Sequence, residues 1–268
     1  MKMAYLIVFM GILFSAGCVS TTTTTSKTVE APSERTRSTT SDTDDTALGR
    51  ARIHTELAVN YLEIGNLAIA LEEAGIAQRA DPTYVPAFNV AGLIYMQLRD
   101  DRMAEQSFRQ ALSLNPRDSD TLNNYGTFMC ERKRENEGIK LFLLAITDPL
   151  YRTPDRSYLN AGVCAKRKND FNEADGYLRN AVKLQPQNYQ AWYQLAEIAY
   201  SRKNYLEARS YLQRLIPVAR GSAETLWLML RAERQGGDPA TVDSLAHQLR
   251  NAFPDARETQ LLEQERFD

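Results

Sequence analysis

The sequence predicts an all-α fold, a right-handed superhelical solenoid built from about six repeated helix pairs between residues 51 and 254. Three observations support this prediction. The chain repeats with a period of 34 residues, as the step from Ala51 to Val85 illustrates. Small residues recur at two fixed positions of each repeat, and proline recurs at a third. Such a period is typical of solenoids, in which each repeat packs only on its neighbours.

The small positions and the prolines keep one register along the chain. Position 8, where two helices are expected to cross closely, is small in five repeats: Ala58, Gly92, Gly126, Gly162 and Ala196. Position 20 is also small: Ala70, Ala104, Gly138, Ala174 and Ala208. Position 32 carries the prolines Pro82, Pro116, Pro186 and Pro254. The pattern resembles the tetratricopeptide repeat, which implies one helix at positions 1–14 and a second at positions 15–30.

The predicted repeats differ at one junction and at the C-terminal end. Their boundaries are 51–84, 85–118, 119–154, 155–188, 189–222 and 223–254. The third repeat is longer than the others, with its extra residues near Asp148 to Tyr151. The sixth is degenerate, because Leu230 occupies position 8, as expected of a terminal repeat. Residues 255–268 are expected to form a short capping helix or a frayed tail.

Composition excludes several classes of function. The 268 residues carry a net charge of −2, so no basic stripe is available to neutralise phosphates, and nucleic acid is not an expected partner. His54 and His247 lie in the first and last repeats and cannot share a metal ion. Phosphate-binding loops, metalloprotease motifs and nucleophile elbows are absent from the sequence. We therefore expect no enzymatic activity, no cofactor and no small-molecule substrate.

The N-terminus resembles the signal sequence of a bacterial lipoprotein. Lys2 precedes an apolar stretch from Leu6 to Phe14, which is shorter than the ~20 residues of a membrane-spanning helix. Small residues then lead to Cys18. The resemblance implies a signal peptide at residues 1–17 and acylation of Cys18, which becomes the mature N-terminus after cleavage. Ser15 stands where lipoproteins usually carry leucine, and cleavage without lipid attachment is the alternative.

A flexible tether is predicted for residues 18–50. Threonine, serine and charged residues dominate this stretch, which has too few apolar residues to offset the loss of chain entropy on folding. Val19 follows Cys18 where inner-membrane lipoproteins carry aspartate, and this resemblance implies the outer membrane of a Gram-negative bacterium. The expected location is therefore the periplasmic face of the outer membrane, with the repeats held there by lipid.

The first helices of stacked repeats are expected to line a groove that binds a protein partner. Solenoids use such surfaces to hold extended or helical peptides. Side chains at the groove-facing positions of the first three repeats are the candidate contacts: Val59, Leu62, Asn89, Leu93, Met96, Asn123 and Asn124. Two alternatives remain. Leu93 and Met96 can instead pack against a neighbouring helix, and position 6 asparagines such as Asn124 can bond the backbone between repeats.

With Cys18 acylated, two cysteines remain. Cys130 and Cys164 lie at positions 12 and 10 of the first helices of repeats three and four. Adjacent first helices run side by side, and an exported protein meets an oxidising periplasm. We therefore predict a Cys130–Cys164 disulfide, which requires α-carbons about 4.4–6.8 Å apart. The alternative is two small buried thiols.

Two short stretches carry a more specific resemblance. They are residues 122–130, LNNYGTFMC, and residues 160–164, NAGVC. With the lipoprotein-like N-terminus, the tether and the irregular third repeat, they resemble the type IV pilus biogenesis and stability lipoproteins, the PilF/PilW family. The resemblance implies a pilotin, which binds a subunit of the type IV pilus secretin. It also implies that the protein helps this subunit reach or assemble in the outer membrane, without catalysis.

Two other functions compete with this interpretation. A different repeat-bearing lipoprotein, an adaptor for outer-membrane barrel assembly or for periplasmic proteases, would share the anchor and the solenoid. It would lack the stretch from Asn123 to Gly126. An enzyme, or an active accessory of a cell-wall hydrolase, would need converging titratable residues, which the sequence does not supply.

Overall fold

The computed structural model describes residues 46–215 and 222–267, and thirteen α-helices and no strands occur within these two ranges. The helices are α1 (Ala47–Glu63), α2 (Leu67–Ala80), α3 (Val85–Gln97), α4 (Asp101–Leu114), α5 (Ser119–Glu131), α6 (Glu135–Ala145), α7 (Pro154–Arg167), α8 (Phe171–Leu184), α9 (Tyr189–Ser201), α10 (Tyr205–Leu215), α11 (Ala223–Arg234), α12 (Pro239–Ala252) and α13 (Arg257–Glu263). Consecutive helices pack in pairs, and the first helices of adjacent pairs also contact one another. The predicted all-α repeat solenoid is therefore confirmed.

The turn inside each repeat differs from the prediction. The second helix begins at position 17 and not at position 15. The reason is that position 15 has a positive φ, between 60° and 77°, in Gly65, Arg99, Lys133, Asn169 and Lys203. A left-handed residue ends the first helix. The next residue caps the second helix by accepting a hydrogen bond from a backbone N–H three residues later, as Asn66, Asp100 and Asp170 do.

Helix α1 begins earlier than the predicted first repeat. It starts at Ala47, so residues 47–50 are helical and do not belong to the tether predicted for residues 18–50. Thr46 caps the helix, because its Oγ1 accepts a hydrogen bond of 2.9 Å from the backbone N–H of Gly49. Burial of Gly49 and Ala51 then holds this extra turn in place. The predicted signal peptide at 1–17, the predicted acylation site Cys18 and the predicted tether up to residue 45 lie outside the described residues.

The small residues of position 8 allow the two helices of a repeat to cross closely. A Cβ atom on Gly92 would lie 2.6 Å from the Phe108 ring, and one on Gly162 would lie 2.6 Å from Leu178 Cγ. Phe108 and Leu178 are fully buried at position 24 of their repeats. The large side chain of the second helix therefore fills the space that the glycine leaves open.

Repeats three and four are joined covalently. Cys130 of α5 and Cys164 of α7 form a disulfide with their α-carbons 5.8 Å apart, inside the range that such a bond requires. The bond spans 34 residues, the length of one repeat. The longer junction between these two repeats leads into the other end of α7, where the hydroxyls of Tyr151 and Ser157 are hydrogen-bonded at 3.2 Å.

The C-terminal residues close the last repeat. Helix α13 packs on α11 and α12, and Leu262 of α13 joins the apolar cluster that contains Leu230. The Phe267 ring stacks on Trp227 with ring centroids 5.4 Å apart, and the Arg234 guanidinium lies 3.6 Å from the Phe267 centroid. The segment thus covers apolar surface of α11 and α12.

Candidate partner-binding surface

The predicted groove residues lie on the first helices of the first three repeats. Their positions are Val59 and Leu62 on α1, Asn89, Leu93 and Met96 on α3, and Asn123 and Asn124 on α5. We call this set the N-terminal groove. The structure divides it into an apolar group, which keeps partial exposure, and an amide group, whose members bond to one another.

The apolar group packs on the core and remains partly exposed. Val59 and Leu62 pack against the cluster formed by α1, α2 and α3. Leu93 and Met96 pack against the cluster that contains Phe108. Leu93 and Met96 thus pack on neighbouring helices, as the alternative predicted, and all four side chains keep some exposed apolar surface in the groove.

The asparagines form a hydrogen-bonded chain across three repeats. Asn124 donates to Asn89 at 3.1 Å, and Asn123 donates to Asn124 at 3.4 Å. Asn160 of α7, which was not among the predicted groove residues, donates to Asn123 at 3.0 Å. We call Asn89, Asn124, Asn123 and Asn160 the amide ladder. Each bond of the ladder joins two side chains. The predicted alternative was a bond from a position 6 asparagine such as Asn124 to the backbone.

Two members of the amide ladder are buried. Asn123 is 2% exposed, and its Oδ1 accepts a second hydrogen bond, from Ser157 at 3.0 Å. Asn89 is 8% exposed. Buried amides need partners, and the ladder supplies them. Asn123 and Asn89 therefore hold the first helices together, whereas the half-buried Asn124 and Asn160 retain surface that a partner can reach.

A pocket that the sequence did not predict lies between α7, α9 and α11. Its volume is about 380 Å³. Apolar side chains, among them Leu159, Val163 and Leu215, line one part of it, and Tyr193 and Glu224 line another. Repeat position was the sequence signal that could have predicted this pocket. Leu159 and Tyr193 occupy position 5 of successive repeats, and Val163 occupies position 9.

Charged groups surround the Tyr193 hydroxyl. Burial raises the pKa of Tyr193, the carboxylates of Glu197 and Glu224 raise it further, and Arg231 acts against them. Glu197 is already paired, because Lys166 Nζ lies 2.6 Å from its Oε2. Hydrogen bonds from its own backbone N–H and from Ser222 lower the pKa of Glu224. Glu224 is therefore ionised at neutral pH.

Residues 46–215 and 222–267 contain neither a candidate metal-binding cluster nor a candidate membrane-spanning helix. These residues contain no group of three or more histidine, cysteine, aspartate or glutamate side chains that could hold a metal ion. His54 instead pairs with Glu73 at 2.5 Å, and His247 contacts Asn251 at 2.8 Å. None of the helices described here is both long and apolar enough to cross a membrane.

Comparisons with known proteins agree with the repeat architecture. Tetratricopeptide-repeat family models match residues 85–118 and 159–224. The type IV pilus assembly protein PilF of Pseudomonas aeruginosa is 26% identical over 211 residues, which make up 79% of this chain and 84% of that protein. The family-model matches cover helices α3 and α4 and the stretch from Leu159 to Glu224, which carries most of the pocket.

Two solved structures are similar over almost their whole length. The crystal structure of PilW, a widely conserved type IV pilus biogenesis factor, has a TM-score of 0.72 at 30% identity. The match covers 79% of this chain and 97% of PilW. Pseudomonas aeruginosa PilF has a TM-score of 0.73 at 25% identity, with 81% and 97% coverage. The chain belongs to the PilF/PilW family of tetratricopeptide-repeat proteins of type IV pilus biogenesis.

Proposed function

We propose that this protein is a pilotin, an outer-membrane lipoprotein that binds a subunit of the type IV pilus secretin. It promotes localisation of that subunit to the outer membrane, or its multimerisation there, as an adaptor without catalytic activity. The observation that carries the proposal is the 30% identity to PilW, a type IV pilus biogenesis factor, over 97% of the PilW chain.

The geometry of the first helices supports a binding role. Partly exposed apolar side chains of the N-terminal groove lie beside half-buried carboxamides, which can bond to a peptide backbone. A secretin subunit presents unpaired strand edges and apolar surface before its assembly is complete, and such surfaces invite aggregation. A groove that covers part of this surface would shield the subunit until assembly.

In this proposal, an N-terminal lipid anchor holds the protein at the outer membrane. Cys18 carries the lipid, and residues 19–46 connect it to helix α1. A Cys18→Ser variant is expected to appear in the soluble periplasmic fraction, because the repeats then have no lipid to retain them. Radiolabelled fatty acid should label the wild-type protein and leave this variant unlabelled. Equal labelling of the two proteins, or retention of the variant in the membrane, would contradict the anchor.

The experiment for the function is complementation of a deletion strain. Without the protein, secretin multimers in the outer-membrane fraction and surface pili are expected to decrease, and the wild-type gene should restore both. A Leu93→Ala/Met96→Ala variant should restore them poorly, because it removes apolar contact area from the N-terminal groove. Leu206→Ala is the matched control, since Leu206 is 73% exposed on α10, outside that groove.

Unchanged secretin multimers in the deletion strain would contradict the pilotin function. The competing function, an adaptor for outer-membrane barrel assembly or for periplasmic proteases, predicts a different result. Levels of other outer-membrane barrel proteins, or of protease substrates, would then change while the secretin multimers stay constant. Circular dichroism of each purified variant checks that the substitution leaves the helices intact.

A further inference from the structure

The pocket between α7, α9 and α11 combines an apolar part with an ionised carboxylate. We infer that this pocket receives a lysine or arginine side chain from a peptide segment of the protein partner. The inference rests on the proposed function for the identity of the partner, the secretin. It adds a contact site in repeats four to six, which adjoins the N-terminal groove through the Asn160–Asn123 hydrogen bond.

The apolar part of the pocket suits the stem of a long basic side chain. Leu159, Val163 and Leu215 provide aliphatic surface, and the volume of about 380 Å³ falls within the usual range of ligand pockets. Lysine and arginine bury their methylene groups along apolar surface while the charged end stays in a polar environment. A basic residue therefore matches both parts of the pocket at once.

Glu224 supplies the matching charge. Its side chain lines the pocket, is exposed, and makes no ion pair with any described residue. Two cations lie near the pocket. Lys166 pairs with Glu197 at 2.6 Å, and the Arg231 guanidinium lies 4.6 Å from the centroid of the Tyr200 ring. Among the described residues, Glu224 is therefore the lining carboxylate without an ion-pair partner, so it attracts an incoming cation and repels an acidic side chain.

Carboxamides beside the pocket can hold the main chain of the same segment. Asn160, Gln190 and Gln194 all line it. Asn160 uses one amide proton on Asn123, and Gln194 uses its oxygen on Lys166. A carboxamide has two donors and an acceptor with two lone pairs, so both side chains keep hydrogen-bonding capacity. An extended segment can therefore place its backbone on these amides and its basic side chain in the pocket.

The test uses overlapping synthetic peptides that cover the secretin of the same bacterium and the full-length purified protein. Isothermal titration gives the affinity of each binding peptide for the wild-type protein, for Glu224→Gln and for Glu72→Gln. Glu72, exposed on α2, is the matched control. Each lysine or arginine of a binding peptide is then replaced by norleucine, which keeps the stem and removes the charge.

We expect one replacement to weaken binding to the wild-type protein by about threefold, as for a solvent-accessible ion pair. Glu224→Gln should weaken binding of the unmodified peptide by the same factor. Combining Glu224→Gln with the norleucine replacement should weaken binding no further, because both changes remove the same ion pair. Val163→Phe, which fills the pocket, should weaken the same peptide more strongly. Glu72→Gln should leave its affinity unchanged.

The contrary outcomes separate the two proposals. If secretin peptides bind and neither Glu224→Gln nor Val163→Phe alters their affinity, the pocket inference is overturned while the pilotin function stands. Tighter binding of the norleucine peptide would also overturn it, because the occupant would then be apolar. If neither the peptides nor the intact secretin subunit binds the wild-type protein, the proposed function fails as well.

Discussion

Asn124 donates a hydrogen bond of 3.1 Å to Asn89, a residue 35 positions earlier in the chain and one repeat away in the solenoid. The bond joins the first helices α3 and α5, and the rest of the amide ladder continues it to α7. A surface predicted for partner binding is therefore also a part of the structure that sets how adjacent repeats stack.

Asn123→Ala is expected to destabilise the fold. The change removes the oxygen that accepts from Asn160 and Ser157, and it leaves the buried Ser157 hydroxyl with Tyr151 alone as a partner. The expected loss is about 1–3 kcal/mol in the free energy of unfolding. Urea unfolding followed by circular dichroism measures it. Asn172→Ala, at an exposed position of α8, is the control and should change the midpoint little.

Gly92→Ala and Gly176→Ala should change stability in opposite directions. The new methyl group at position 92 would lie 2.6 Å from the Phe108 ring, so overpacking should destabilise by about 1–3 kcal/mol. Gly176 in α8 has no atom within 4 Å of the added carbon. Alanine there should stabilise the helix by about 0.5–1 kcal/mol. Equal unfolding midpoints for the two variants would contradict the close crossing of α3 and α4.

Reduction of the Cys130–Cys164 disulfide should lower stability. The bond closes a loop with a sequence separation of 34, for which the chain-entropy relation gives about 3–4 kcal/mol. Thermal unfolding with and without dithiothreitol measures the difference, and a Cys130→Ala/Cys164→Ala variant should not respond to the reductant. Two free thiols in the intact mass of non-reduced protein would contradict the bond.

The fold should lose part of its stability in acid. A hydrogen bond from Tyr211 and the neighbouring Arg179 lower the pKa of Glu207 below its ordinary 4.5. A group whose pKa is lowered by folding contributes stability above its unfolded pKa and loses it as the pH falls through the folded pKa. Between pH 6 and pH 3, the stability difference between the wild-type protein and Glu207→Gln should therefore shrink. A constant difference would contradict the ion pair.

The sequence predicted the repeat register because that register depends on local rules. Each close crossing requires a small side chain at position 8, and the chain meets this requirement from Ala58 to Ala196. The turns were less predictable. Arg99, Lys133 and Lys203 adopt a left-handed conformation that glycine or asparagine would signal more clearly, so the predicted start of the second helices was two residues too early.

The structure of the candidate binding surface was only partly predictable, for a different physical reason. Val59, Leu93 and their neighbours were identified from position alone, whereas the amide ladder depends on how far one repeat rotates against the next. That rotation brings Asn160 to Asn123, 37 residues away. The pocket beside Tyr193 likewise requires three repeats to be assembled before it exists. Neither the Asn160–Asn123 hydrogen bond nor the pocket can be predicted from the spacing of residues within one repeat.

We expect the N-terminal groove to bind the secretin, and co-purification from outer-membrane extracts tests this binding most directly. Affinity-tagged wild-type protein and the Leu206→Ala control should retain the secretin subunit in equal amounts. The Leu93→Ala/Met96→Ala variant should retain much less, while its circular dichroism spectrum matches that of the wild-type protein. Absence of the secretin from the wild-type eluate, or equal retention by all three proteins, would contradict the claim.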